Sequence, residues 1–212
     1  MFIKEAVGLP SLAFSHILWY NALTCFDGAC RFLFSPRPRD FLFLGVKMNI
    51  SKNGIELLKK LEGSVIRNGK HVIYDDQTGA PVLPNLPLPY GATIGYGHLI
   101  QPDEDFTDGI DEERATELLR HDISVAENAV RTNITIPITQ NQFDALVIFA
   151  YNIGATNFAR STVVKYINNP QFRPATYPTM DAAWRAWCKS GGQIMPGLAW
   201  RRDAELKLFH TI

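Results

Sequence analysis

A glutamate, a pair of aspartates and a threonine follow one another in the first half of the chain. Glu62 ends a helical pattern, Asp75 and Asp76 follow a tyrosine, and Thr93 opens the segment Thr-Ile-Gly-Tyr-Gly-His. Breaking a glycosidic bond requires one carboxylic acid that protonates the leaving oxygen and one carboxylate that stays ionised. The sequence supplies a candidate for each role, so this pattern indicates a glycosidase-type active site.

Glu62 continues the apolar side of the helix that carries it. It extends the helical spacing of Ile55 and Leu58, and Ser51 is placed to cap the start of this helix. A carboxyl held against apolar neighbours keeps its proton more readily, as a general acid requires near neutral pH. The alternative interpretation is a helix-terminal glutamate that turns to solvent.

The segment after Glu62 predicts a small β region with a long loop. Asn68-Gly69 lies between β-forming residues and predicts a two-residue hairpin turn. Four prolines then follow at a spacing that excludes a helix or an interior strand: Pro81, Pro84, Pro87 and Pro89. We expect an extended surface loop there.

From Asp111 onward the pattern is helical to the end of the chain. Asp111 is placed to start a helix, Thr139-Gln-Asn-Gln142 is a capping box, and Asn152-Ile-Gly154 ends the helix that follows it. Further helical runs are predicted at about 158–167, 180–188 and 198–209. These elements predict an α+β fold, mostly α, with a small β-hairpin lobe, a larger helical lobe and a cleft between them.

Charge and histidine spacing exclude some classes of partner. Lys and Arg total 21 and Asp and Glu total 21, so no basic field indicates nucleic acid. His71, His98 and His121 are not at metal-ligand spacing with one another or with Cys188, so no metal site is predicted. We expect His98 to organise hydrogen bonds behind the cleft.

Residues 1–47 differ in composition from the rest of the chain. Residues 6–26 contain no Asp, Glu, Lys or Arg and are long enough to cross a bilayer, but the basic start and cleavage site of a secretory signal are missing. Three interpretations stay open: a non-native extension upstream of a true start at Met48, a weak membrane-targeting or anchor segment, and an ordinary folded helix. We predict a boundary at 47, followed by a catalytic domain over residues 48–212.

The motifs beyond this boundary resemble those of phage-type lysozymes, the endolysin muramidases of glycoside hydrolase family 24. Members of this family share Glu, Tyr-x-Asp-x-x-Gly and Thr-Ile-Gly-Tyr-Gly-His in that order. This chain has the corresponding elements at Glu62, Tyr74-Asp-Asp-Gln-Thr-Gly79 and 93–98. Later blocks also match, at Gln142-x-Asp-Ala-Leu146, at 149–154, and at Gly197-Leu-x-x-Arg-Arg202 with Glu205. The resemblance covers about residues 48–210.

The resemblance implies a lysozyme-like fold and a bacteriolytic hydrolase for phage-driven host lysis. Its substrate would be the β-1,4 bond between N-acetylmuramic acid and N-acetylglucosamine in peptidoglycan, and no cofactor is implied. Glu62 would be the general acid, Asp76 the partner carboxylate, and Thr93 the residue that holds the attacking water or the nucleophilic face. The loops between these residues are longer than is usual in the family. The choice between Asp75 and Asp76 therefore stays open, although Asp76 fits the motif better.

Two other functions and two cellular locations remain open. The alternatives are a lytic transglycosylase on the same bond and a non-catalytic peptidoglycan-binding module. An inverting or a retaining course depends on the separation of the carboxyl groups, which the sequence does not give. We expect a monomer held in the host bacterial cytoplasm until release, acting on the wall in the periplasm; the alternative is an inner-membrane anchor through 6–26. Membrane contact is expected only through 6–26 or the partly cationic run 198–209.

Tryptophans and arginines of the helical lobe yield two further predictions. The helical spacing of Trp184 and Trp187 predicts core packing rather than stacking on sugar rings. Arg201 or Arg202, by its place in the family block, is predicted to pair with a cleft carboxylate, with Glu62 as the candidate.

Overall fold

The computed structural model describes residues 47–82 and 88–212, which are mostly helical with small sheets. The helices are α1 (Lys52–Glu62), α2 (Glu112–Asn133), α3 (Gln140–Ile153), α4 (Ala155–Arg160), α5 (Thr162–Asn168), α6 (Met180–Arg185) and α7 (Pro196–Phe209). The strands are β1 (Ile66–Arg67), β2 (Lys70–His71), β3 (Tyr74–Asp75), β4 (Ala92–Ile94), β5 (His98–Leu99), β6 (Lys189–Ser190) and β7 (Gln193–Ile194). The predicted α+β, mostly α fold is confirmed.

Some predictions concern positions outside the described residues. The extension up to residue 46, with its candidate membrane segment 6–26, is among them, and so are Pro84 and Pro87 of the predicted loop. Across the two described ranges, no helix is both long enough and apolar enough to span a bilayer.

Helix α1, which carries Glu62, is tied at its start to the centre of the molecule. Ser51 caps it by accepting a hydrogen bond from the Gly54 amide at 3.1 Å. The buried carboxylate of Asp144, on α3, accepts the Ser51 amide at 2.9 Å and also the Ser51 hydroxyl. A Cβ at Gly54 would lie 2.8 Å from the Asp144 carboxyl carbon, so this close approach requires glycine.

The core is built around α3. Eight consecutive residues of this helix, 143–150, are buried, and it packs most extensively against α2 and α7. A helix that is apolar on all sides must be surrounded by other elements. The predicted capping box at Thr139 and Gln142 and the predicted end at Gly154 are both confirmed.

The small strands form three separate antiparallel sheets. The predicted turn at Asn68-Gly69 joins β1 and β2, with left-handed φ angles of 50° and 78° at the two turn residues. In the three-stranded sheet β3-β4-β5, Tyr74 lies opposite Thr93, and Ile94 lies opposite His98. This pairing joins the two segments that carry candidate catalytic residues.

The helical prediction is wrong in detail at two places. The run 158–167 is two helices, because the chain turns at Ser161, which ends α4 and caps α5 by accepting the Val164 amide at 3.2 Å. The run 180–188 ends at Arg185, and the chain then forms the hairpin β6-β7. The hairpin turns at Gly191-Gly192, where φ is 57° and 82°, a conformation that favours glycine.

Candidate active site

Glu62 lies at the last residue of α1 and is held by an arginine. The Nη2 atom of Arg201, on α7, donates to Glu62 Oε1 at 2.7 Å. The Glu62 side chain is 21% exposed and the Arg201 side chain 7%. The predicted pairing of this carboxylate with Arg201 is confirmed. The surroundings of Glu62 are therefore ionic on one side, rather than the apolar ones that the helical pattern predicts.

A second carboxylate lies behind Arg201. Glu205 is fully buried, and its Oε1 accepts from Arg201 Nε at 3.3 Å and from Arg202 Nη2 at 2.8 Å. Its Oε2 accepts from Trp184 Nε1 at 2.7 Å. Burial raises the pKa of Glu205, and the two arginines and the indole oppose this rise only in part. Glu62 and Glu205 thus share the guanidinium of Arg201.

Arg202 completes this buried network. Its side chain has no exposed surface, and its Nη2 also donates to Asn152 Oδ1 at 2.7 Å. The guanidinium carbon lies 5.0 Å from the centre of the Phe149 ring, within the range of a cation–π contact. Burial lowers the pKa of Arg202, and the charge of Glu205 opposes this. The buried Trp184 packs against Phe149, so its predicted core role is confirmed.

The β3-β4 pair brings the other candidates together. Asp75 pairs with Ala92, the neighbour of Thr93, and Asp76 follows at the end of β3. The Asp75 carboxylate accepts the Gln77 amide at 2.8 Å, whereas Asp76 is exposed and has no side-chain hydrogen bond within the described part of the chain. Thr93 is buried, and its hydroxyl makes one long contact, 3.5 Å, to the Tyr74 carbonyl. The assignment of Asp76 rather than Asp75 stays a prediction.

Tyr151, on α3, has a phenol whose pKa responds to the charge of Glu62. Burial raises the pKa of its phenol, and the negative charges of Glu62 and Asp122 raise it further, while Arg201 opposes them. Tyr74 of β3 also acts on Tyr151. Sequence analysis did not single out Tyr151 as a site residue.

A cavity of about 520 Å³ lies beside Tyr151. Its wall includes the β5 residues His98 and Leu99 and the α2 residue Asp122, but not Glu62, Asp76 or Thr93. Tyr151 lines this cavity, and the charge of Glu62 acts on its phenol.

His98 has the predicted role as an organiser of hydrogen bonds. Its Nδ1 lies 2.8 Å from Asp122 Oδ2 and its Nε2 lies 2.9 Å from Glu104 Oε2. Burial alone would lower the pKa of His98, but the hydrogen bonds to Glu104 and Asp122 outweigh it and raise the pKa. The His98 ring thus links β5, the following loop and α2.

A cluster around Glu112 joins α1 to the β region. Lys59 Nζ lies 2.7 Å from Glu112 Oε1, and His71 Nε2 lies 2.9 Å from Oε2. The Tyr96 hydroxyl lies 2.9 Å from both oxygens. Partial burial would raise the pKa of Glu112, but the hydrogen bonds from Lys59, His71 and Tyr96 together lower it to about 2. Lys59 is one helical turn before Glu62, so this cluster holds the end of α1 as well.

Comparisons with known proteins agree with this geometry. The Phage lysozyme family model matches residues 71–205. The endolysin of Bacillus phage B103 is 37% identical over 164 residues, which are 77% of this chain and 55% of that protein. The endolysin of Salmonella phage P22 is 33% identical over 168 residues, which are 76% of this chain and 98% of that protein.

A solved structure is similar over the same share of the chain. The muramidase domain of SpmX from Asticaccaulis excentricus has a TM-score of 0.59 and 32% identity, covering 77% of this chain and 99% of that one. The chain spans only about half the length of the Bacillus phage relative. Asp76 and Thr93 lie inside the region that the family model matches, and Glu62 lies just before it. From this match and these identities, the chain belongs to the phage lysozyme family.

Proposed function

We propose that the protein is an endolysin that hydrolyses the β-1,4 bond between N-acetylmuramic acid and N-acetylglucosamine in bacterial peptidoglycan, for host lysis. The observation that carries this proposal is the set of hydrogen bonds made by the Glu62 carboxyl. Its Oε1 is held by Arg201, while its Oε2 receives no hydrogen bond within the described ranges. A partly buried carboxyl with one anchored and one available oxygen suits a group that transfers a proton.

Glu62 acts as the general acid in the proposed reaction. It transfers a proton from Oε2 to the glycosidic oxygen as the bond to the leaving sugar breaks. The carboxylate that remains is stabilised by Arg201, whose contact with Oε1 is already formed. The ion pair therefore favours the state of Glu62 that the proton transfer creates.

Asp76 and Thr93 act on the water that completes the hydrolysis. Asp76 presents an exposed carboxylate that stabilises positive charge on the sugar and accepts a proton from the water. The long contact of the Thr93 hydroxyl leaves that hydroxyl able to hold a water molecule. Attack from the face opposite the leaving group gives inversion, which is the course that we propose.

The experiment is mass spectrometry of the muropeptides released from purified peptidoglycan by the full chain and by Glu62→Gln. We expect reducing N-acetylmuramic ends from the unmodified protein and almost none from the variant. Anhydro-muramic ends would identify a lytic transglycosylase instead. Binding to peptidoglycan without any sugar cleavage would identify a non-catalytic module and contradict the proposal.

Neighbouring carboxylates offer a matched pair of variants for the second catalytic position. Asp76→Asn should lower the rate by a factor on the order of 100 or more, whereas Asp75→Asn should retain most activity. Each change removes one charge from adjacent residues, so the difference between them reports position alone. The reverse order of activities would assign the role to Asp75.

The proposed cellular route is retention in the host bacterial cytoplasm, release, and action of a monomer on the wall in the periplasm. The uncharged stretch 6–26 supports the alternative of an inner-membrane anchor. Helix α7 turns Arg201, Arg202 and Glu205 inwards, so neither of these two arginines is available for membrane contact. Equal solubility of residues 1–212 and 48–212 in fractionated cells would contradict the anchor.

A further inference from the structure

We propose that Glu205 is a positioning residue: its buried carboxylate holds Arg201 in the orientation that contacts Glu62. This inference rests on the proposed role of Glu62 as the general acid. Glu205 has no exposed surface, so it does not touch the substrate itself, and Arg201 is the residue that contacts both Glu205 and Glu62.

The shape of the guanidinium makes this indirect action effective. Arg201 contacts Glu205 through Nε and Glu62 through Nη2. These nitrogens belong to one rigid planar group, so fixing Nε also fixes the direction in which Nη2 points. Without the contact at Nε, the long arginine side chain could rotate among its rotamers, and ordering it would cost conformational entropy.

The charges in the network also favour a cation directed at Glu62. Arg201 and Arg202 both contact Oε1 of Glu205, at 3.3 Å and 2.8 Å. One buried carboxylate between two guanidinium groups leaves one net positive charge. Arg202 is fully buried behind the network, while Arg201 is the member that reaches Glu62. The remaining charge is therefore available to the Glu62 carboxylate.

Helix geometry supports this arrangement. Arg201 and Arg202 precede Glu205 by four and three positions on α7, a spacing that places side chains on the same face. Arg202 is held from α3 by Asn152. The orientation of Arg201 is thus set by a helix face that is fixed against the core.

The test is the pH dependence of kcat and KM for the full chain and for Glu205→Gln, with soluble peptidoglycan fragments as substrate. We expect a kcat that is lower by about 10- to 100-fold with little change in KM, because a misaligned Arg201 acts on the reaction step. The basic limb of the kcat profile should also shift, because Arg201 no longer meets the Glu62 carboxylate in the same orientation. If both kcat and the basic limb of its pH profile are unchanged in Glu205→Gln, the proposal is overturned.

Two further variants distinguish a positioning role of Glu205 from a general loss of stability. Val163→Ala removes buried methyl groups on α5, a helix that carries no member of the network, and should lower stability without moving the pH limb. A limb shift in Val163→Ala as large as that in Glu205→Gln would overturn the proposal. If Glu205→Gln does not fold, Glu205→Asp keeps the buried charge but draws it back from Arg201, and the same limb shift is expected.

Glu62→Gln, measured beside these variants, distinguishes failure of the proposed function from failure of the positioning role alone. If Glu62→Gln keeps the activity of the unmodified protein, the proposed function of Glu62 fails. If Glu62→Gln is inactive while Glu205→Gln and Glu205→Asp behave like the unmodified protein, only the positioning role fails.

Discussion

Glu112 accepts hydrogen bonds from four side chains and Glu205 from three, yet their pKa values move in opposite directions. The Glu112 side chain is 57% exposed. Its partial burial would raise the pKa, but Lys59, His71 and Tyr96 outweigh it and lower the pKa to about 2. Glu205 is fully buried, and there the loss of water outweighs all its donors and raises the pKa.

The difference shows how solvent decides the effect of the same kind of contact. Hydrogen bonds and cations stabilise an ionised carboxylate, whereas removal of water destabilises it. At the surface, the Glu112 cluster stabilises the fold modestly because water still screens its charges. In the interior, the ionised Glu205 depends on Arg201 and Arg202, and they in turn depend on it.

The largest difference in stability between the two sites is expected when the glutamate at each of them is replaced by methionine. Glu205→Met should lower the free energy of unfolding by about 3–5 kcal/mol, because the buried Arg202 loses its counter-charge. Glu112→Met should lower it by about 1 kcal/mol or less, after allowance for solvent screening. Urea unfolding of both variants measures the two values. Equal losses would remove the distinction between the two sites.

His98 lies between these extremes, since it is largely buried but its two acidic partners are partly exposed. Its raised pKa means that its contribution is fully present below pH 6.5 and is lost as pH rises through the folded value. The lowered pKa of Glu104 means that its contribution is present above pH 4.5 and is lost as pH falls. His98→Asn should therefore cost about 1–3 kcal/mol near pH 6 and less at pH 9. A cost that does not depend on pH would contradict this.

Acid unfolding tests the Glu112 cluster directly. The pKa of the Glu112 carboxyl is about 2, against an ordinary value of 4.5. The stabilising effect of its charge is therefore present above pH 4.5 and is lost as pH falls towards 2. The stability difference between the unmodified protein and Glu112→Gln should therefore disappear over this range. Thermal unfolding at closely spaced pH values measures it, and a difference that persists at pH 2 would contradict the role of the carboxylate charge.

Raising the salt concentration should produce the smallest of these changes in stability. Between 0.05 and 1 M NaCl, the effect of Glu112→Gln on unfolding should shrink by a few tenths of a kcal/mol, because exposed charges are screened. The effect of Glu205→Gln should change little, since water and ions do not reach that carboxylate. Urea unfolding at both salt concentrations measures this, and equal salt dependence at both positions would break the comparison.

Local features of the fold were predictable because they depend on residues that are near one another in the chain. The cap at Ser51, the helix start at Asp111 and the turn at Asn68-Gly69 all appear where they were expected. The hairpin at Gly191-Gly192 was missed although a glycine pair is a turn signal. The predicted helical runs end at 188 and resume at 198, and no strand is predicted between them.

The sequence by itself determined the family motifs, the caps and turns, and the candidate residues Glu62, Asp76 and Thr93. Only the tertiary structure decided that, of the two arginines predicted to pair with Glu62, Arg201 is the one that does so, from 139 positions away in the chain, and that Glu205 lies behind it. The physical reason is that caps and turns arise from backbone groups within a few residues. The surroundings of a carboxylate depend instead on which helices pack together and on how much water that packing removes.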